Sequence, residues 1–206
     1  QEIQPGAMNL MTAGRGIAHS ERTPDVGRAE GQNKHGPQSW IALPKAQEEI
    51  LPSFQHYAAS DLPTVRDTGL SARVIAGKAF GKSSPVAMVS DWFYVEVTLE
   101  AGRSAPLDTD YEERAIYLVE GEVEIAGDRH EAPRLLVFRP GDRITVRATR
   151  PARMMFLVGD ALEGPRHIWW NFVSSSKERI EQAKADWKSG RFDKVPDETE
   201  FIPLPE

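Results

Sequence analysis

The chain has 206 residues, a net charge of −6 at neutral pH, 40% hydrophobic residues and no cysteine. That length and apolar content support one large or two small globular domains, while the missing thiols exclude disulfides and thiolate ligands, so any metal must take nitrogen and oxygen donors. The acidic balance argues against direct nucleic-acid binding, and no apolar run reaches the roughly 18 residues of a membrane span.

Short apolar and alternating runs separated by Pro and Gly predict an all-β protein. Residues 8–12 and 17–21 read as strands. Side chains alternate along a strand, so His19 and Glu21 share one face with Ser20 turned away. Gly14 and Gly16 let the backbone turn tightly or approach a neighbour just before this segment. An imidazole and a carboxylate placed this way read as half of a metal site. Alone, a His-x-Glu pair carries little weight, since such pairs arise by chance and are more often solvated or salt-bridged.

Residues 23–37 are polar and read as a loop, 39–43 resume a strand, and 50–63, with Pro52 and Pro63, suit a linker. Further strands are predicted at 70–76, 92–99, 114–119, 122–125, 135–138, 144–148 and 154–158, with turns at Gly121, Gly127 and Gly141. Ser175 and Glu178 have capping-box spacing, and Ile180, Ala183 and Trp187 recur at helical intervals before Gly190, which predicts an amphipathic helix of about three turns. Residues 195–206 hold three prolines and are expected to extend over the surface. His35, His56 and His130 are expected at the surface, and Asp108, Asp110, Glu112 and Glu113 in a solvated loop. The adjacent Trp169 and Trp170 are expected to pack rather than bind.

The stretch Met11-Thr12-Ala13-Gly14-Arg15-Gly16-Ile17-Ala18-His19-Ser20-Glu21 resembles the signature of the pirin family, a branch of the two-barrel cupins. Gln38-Ser39-Trp40-Ile41-Ala42-Leu43-Pro44 resembles the Gln-x-Trp-x-x-Leu-Pro stretch that follows it in the family. Residues 113–123 resemble the opening of the second barrel, and Trp170-Asn171-Phe172-Val173 with the following helix is similar to the C-terminal part of bacterial members. The resemblance implies an all-β bicupin with a short C-terminal helix. Its divisions would be residues 1–57 for the C-terminal part of a metal-binding first barrel, 58–172 for a metal-free second barrel, and 173–206 for the helix and tail.

The resemblance also implies a metal site of three histidines and one glutamate, usually holding Fe, with Mn, Ni, Cu or Zn also suited to such donors. His19 and Glu21 match two of the four ligands. The other two belong to a His-x-His motif upstream of the signature, and none of the five histidines here stands two residues from another. The first barrel is therefore expected to be incomplete in this sequence, as the C-terminal portion of a longer protein.

Two functions follow from the resemblance. One is a quercetin 2,3-dioxygenase-like oxidoreductase opening a flavonol with O2, with Glu21 also accepting the substrate's hydroxyl proton. The other is an iron-dependent regulatory protein contacting a transcription factor or metabolic enzyme; a chain holding two ligands alone would be inert. A cytoplasmic location suits a chain without cysteine. An internal comparison also predicts a metal-free second barrel: Pro5-Gly6 resembles Pro140-Gly141, and the offsets from Gly6 to His19 and Glu21, counted from Gly141, reach the apolar Met154 and Phe156.

Overall fold

The computed structural model describes residues 2–22, 36–107 and 110–205. In chain order its strands are β1 (Met8–Thr12), β2 (Ser53–Tyr57), β3 (Thr64–Asp67), β4 (Leu70–Ala76), β5 (Lys78–Ala79), β6 (Lys82–Ser83), β7 (Trp92–Leu99), β8 (Ser104–Pro106), β9 (Glu113–Glu120), β10 (Glu122–Ile125), β11 (Asp128–Glu131), β12 (Arg134–Phe138), β13 (Thr145–Ala148), β14 (Ala152–Gly159), β15 (His167–Trp169) and β16 (Phe172–Ser174), followed by helix α1 (Lys177–Lys188). They divide into two compact units, Gln1–Leu10 with Phe54–Leu162, and Met11–Ser53 with Glu163–Glu206. The expected divisions at residues 57 and 172 do not coincide with these units, because the C-terminal segment packs with an early stretch of chain.

The first unit is built on a six-stranded antiparallel sheet, β12-β9-β14-β7-β4-β3, and a four-stranded one, β11-β10-β13-β8. Period-two alternation sends Phe93, Val95, Val97 and Leu99 of β7 to the same core as Ile116 and Leu118 of β9, Val123 of β10, Val146 of β13 and Phe156 of β14. Met154 and Phe156, at the offsets that carry His19 and Glu21 after the earlier Pro-Gly pair, are both fully buried. A bulge between Val74 and Ala76 shifts the register of β4 against β7. Val74 therefore faces this core, while Ala76 joins a second cluster with Leu62 and Val86, against which Met8 and Leu10 of β1 and Tyr57 of β2 pack. Arg114 is the one buried cation among the described residues. Its guanidinium donates to the carbonyls of Arg139 and Asp142, the latter at 2.5 Å, and so fastens the Pro140-Gly141 turn.

Several sequence expectations need correction. Residues 17–21 and 39–43 form no strand among the described residues, because no ladder satisfies their backbone groups there. The stretch 50–63 is not a plain linker: it contains β2, which pairs with β1. The helix is capped by Ser176, whose Oγ accepts from Arg179 N at 3.2 Å, one residue later than the spacing suggested; Ser175 turns instead to Glu48. His56 and His130 are half-buried rather than exposed. His56 Nδ1 lies 2.7 Å from Asn9 Oδ1, and His130 sits in β11 opposite Val123. His35, Asp108 and most of the predicted loop at 23–37 lie outside the described residues.

Candidate metal-ligand segment

The segment carrying His19 and Glu21 belongs to the second unit and is held at both ends. At its start the two glycines are obligatory for different reasons. Gly14 has φ 52°, and a Cβ there would stand 2.1 Å from the Ile50 carbonyl oxygen, the same oxygen that accepts the Arg15 N–H at 3.0 Å. Gly16 has φ 138°, and a Cβ there would meet the Phe192 ring at 2.7 Å. That ring cannot easily yield, since it stacks with Phe172 at 6.0 Å and meets Trp187 edge-on at 5.4 Å. Trp187 in turn lies 5.4 Å from Trp170 and 5.5 Å from Phe201, and its Nε1 donates to Ile202 O. Trp169 and Trp170 are accordingly half-buried packing residues, and the proline-rich tail is drawn onto the helix.

Two arginines complete the frame. Arg179 of α1 donates from Nη2 to Arg15 O at 2.6 Å and from Nε to Glu49 at 2.8 Å. Beyond Glu21, Arg22 donates from Nε and Nη2 to Glu198 Oε2 at 2.8 and 2.6 Å, and from Nη2 to Glu200 at 2.7 Å. The Glu200 backbone N–H, then Arg22 and Ser20, bring the Glu198 carboxyl down to about 2 from its ordinary 4.5. A depressed carboxyl contributes its stabilisation above the unfolded value and loses it as pH falls through the folded one. The clamp on residues 20–22 is therefore expected to hold on descent from pH 4.5 and release near about 2. A carboxyl NMR titration placing the Glu198 midpoint near the ordinary value would show that the pair does not form in solution.

Between these anchors His19 and Glu21 are both exposed. The Gln38 amide lies 3.5 Å from Glu21 Oε1, which brings the stretches 11–21 and 38–44 together at one carboxylate. A neutral imidazole and a carboxylate suit a first-row divalent ion. No group of three or more His, Asp or Glu is gathered among the described residues, however, so this segment supplies two donors and not a closed coordination sphere. Sequence reasoning did not anticipate Arg22, Arg179 or the tail glutamates; their partners lie more than 100 residues away and leave no local signal.

No helix among the described residues is long and apolar enough to cross a membrane. The family model described as Pirin C-terminal cupin domain matches residues 94–193, and the one described as Pirin matches residues 1–41. A pirin-like protein of Caulobacter vibrioides is 49% identical over 99% of this chain and 71% of its own length. A Pseudomonas aeruginosa protein provisionally named a quercetin 2,3-dioxygenase is 33% identical over 92% of this chain; the chain spans only 59% of that relative. Among solved structures, a quercetin 2,3-dioxygenase from Acinetobacter baumannii aligns over all of this chain and 69% of its own, with a TM-score of 0.84 and 28% identity.

Proposed function

This chain belongs to the pirin family of bicupins, and from that premise we propose that it forms part of a metal-dependent dioxygenase acting on a flavonol such as quercetin, with His19 and Glu21 as two of the metal's ligands. The observation that carries this reading is the frame around the pair. Obligatory glycines, Arg179 and the Arg22 clamp fix the backbone on either side of two exposed donors. A solvated His-x-Glu pair would need no such bracing. The likeness to quercetin 2,3-dioxygenases supplies the substrate class.

An iron ion, when bound, supplies Lewis-acid and one-electron chemistry towards dioxygen. The chain's own residues have simpler roles. His19 and Glu21 hold and orient, Gln38 steadies one carboxylate oxygen of Glu21, and Glu21 takes up the flavonol hydroxyl proton. The whole protein with iron bound is expected to consume oxygen when given quercetin. Iron-loaded protein that leaves both quercetin and oxygen untouched would sink the enzyme reading. It would favour the alternative, an iron-dependent regulator contacting a transcription factor or metabolic enzyme.

A further inference from the structure

The first unit contains a cavity of about 260 Å³ that uses no residue of the ligand segment. Its walls are Phe93 of β7, Phe156 of β14, Leu107, Tyr111, and Lys78 and Phe80 from the β5–β6 hairpin. Four aromatic rings from separate stretches of chain thus converge on one space. Phe80 and Phe156 stand 6.4 Å apart at a 31° tilt, and Phe93 and Tyr111 meet edge-on at 6.0 Å. The space opens to solvent on one side, where the exposed Lys78 stands, rather than being sealed within the core.

The hairpin is strained at the point where it packs one of these rings, Phe80, against the core. Its two turn residues, Phe80 and Gly81, have φ values of 50° and 70°, the pattern of a type I′ turn. Such turns favour Asn, Asp or Gly at the first position, and a bulky aromatic residue with positive φ is a true outlier. Strain of this kind persists where the surrounding structure has a use for it. Here it sets the Phe80 ring over the cavity. Lys78, two residues earlier, is exposed and has no ion-pair partner among the described residues. At the rim Tyr111 donates to Asp91 at 2.7 Å; this bond, with burial, pushes the phenol up to about 12, so it stays neutral.

We propose that this cavity is a ligand site that uses neither His19 nor Glu21 and binds a small single-ring aromatic carboxylate with its ring among Phe80, Phe93 and Tyr111 and its carboxylate on the Lys78 ammonium. The volume falls below the usual range for drug-sized ligands, which suits one ring rather than the three of a flavonol. Flat aromatic walls reward a planar guest through offset and edge-on contacts, and Lys78, the one cation lining the space among the described residues, selects for an anion. The site does not depend on His19 or Glu21, so it is expected in metal-free and metal-loaded protein alike.

The test is an amide NMR titration of the whole chain with benzoate and, separately, with neutral benzamide. Benzoate is expected to shift Phe80, Phe93, Leu107 and Phe156 in a saturable way and to bind at least about tenfold more tightly than benzamide. Lys78→Ala, at an exposed position, should keep its melting temperature and bring benzoate down to the benzamide level. Phe80→Gly accepts the positive φ without strain and should weaken both probes by about tenfold. Non-saturating shifts scattered over the surface, or unchanged benzoate affinity in Lys78→Ala, would overturn the proposal.

Discussion

In the whole protein, His19→Ala and Glu21→Ala are each expected to weaken metal binding by at least about 100-fold while leaving the metal-free fold as stable as before. The first part follows from donor chemistry. Loss of a residue that merely orients a ligand commonly costs 10–100-fold, and loss of the ligand itself should cost no less. The second part follows from exposure, since neither side chain contributes buried area. The two effects separate in a melting experiment. A ligand present at 100 times its dissociation constant stabilises the native state by about 2.7 kcal/mol, and a 100-fold loss of affinity reduces that to about 0.4 kcal/mol. Gln38→Ala, which removes one contact to Glu21 Oε1, should fall between, at about tenfold. Metal occupancy by elemental analysis decides the matter: wild-type metal content in either ligand variant would remove that residue from the coordination set.

How much of this could be read from the chain depends on whether the signal was local. Strands β4 and β7 were legible because each carries apolar residues at period two, the mark of a strand that turns a face to the core, and β9 and β14 because each is a short continuous apolar run, the mark of a central strand. Strand β2 was not, because Pro52 and Pro63 flank it and its burial is uneven, so composition favoured a linker. Residues 17–21 and 39–43 show the converse. Their composition fits strands, but a strand exists only with a partner, and pairing is a property of distant chain. At the site the glycine spacing anticipated a tight approach, and Gly14 and Gly16 meet Ile50 and Phe192 as such an approach requires. The bracing was invisible: Arg22 finds Glu198 across 176 residues and Glu48 finds Ser175 across 127. The ligand set came from the family signature and not from spacing, which alone gives only a pair.

The largest stability effect is expected at Glu48, a residue the sequence did not single out. It follows a 3-10 turn, Lys45–Gln47, and its carboxylate accepts from Ser175 N at 3.0 and 3.1 Å, from Ser175 Oγ at 2.9 Å and from Ser174 Oγ at 3.2 Å. Arg166 Nε stands 2.9 Å from Oε1, as an ion pair rather than an aligned hydrogen bond, and the two side chains are only 9% and 14% exposed. Glu48→Ala leaves a largely buried guanidinium without its counter-charge, held only by backbone carbonyls such as those of Leu43 and Glu163, and is expected to cost about 3 kcal/mol or more. Replacing both residues, as Glu48→Leu with Arg166→Met, should cost less than the sum of the two single changes, because no buried charge is then left alone. The consequence reaches the ligand segment, since Ile50, two residues on, holds Arg15 through its carbonyl. Burial acts to raise the Glu48 carboxyl, but the Ser175 N–H and hydroxyl, Arg166 and Ser174 outweigh it and hold the group below its ordinary 4.5. The charged form is therefore the stabilising one, fully effective above that value and lost as pH falls through the lower folded one. Denaturant melts of wild type and Glu48→Gln should thus differ at neutral pH and converge in acid. A gap that stays constant on acidification would show that the charge of Glu48 contributes nothing and that only its shape matters.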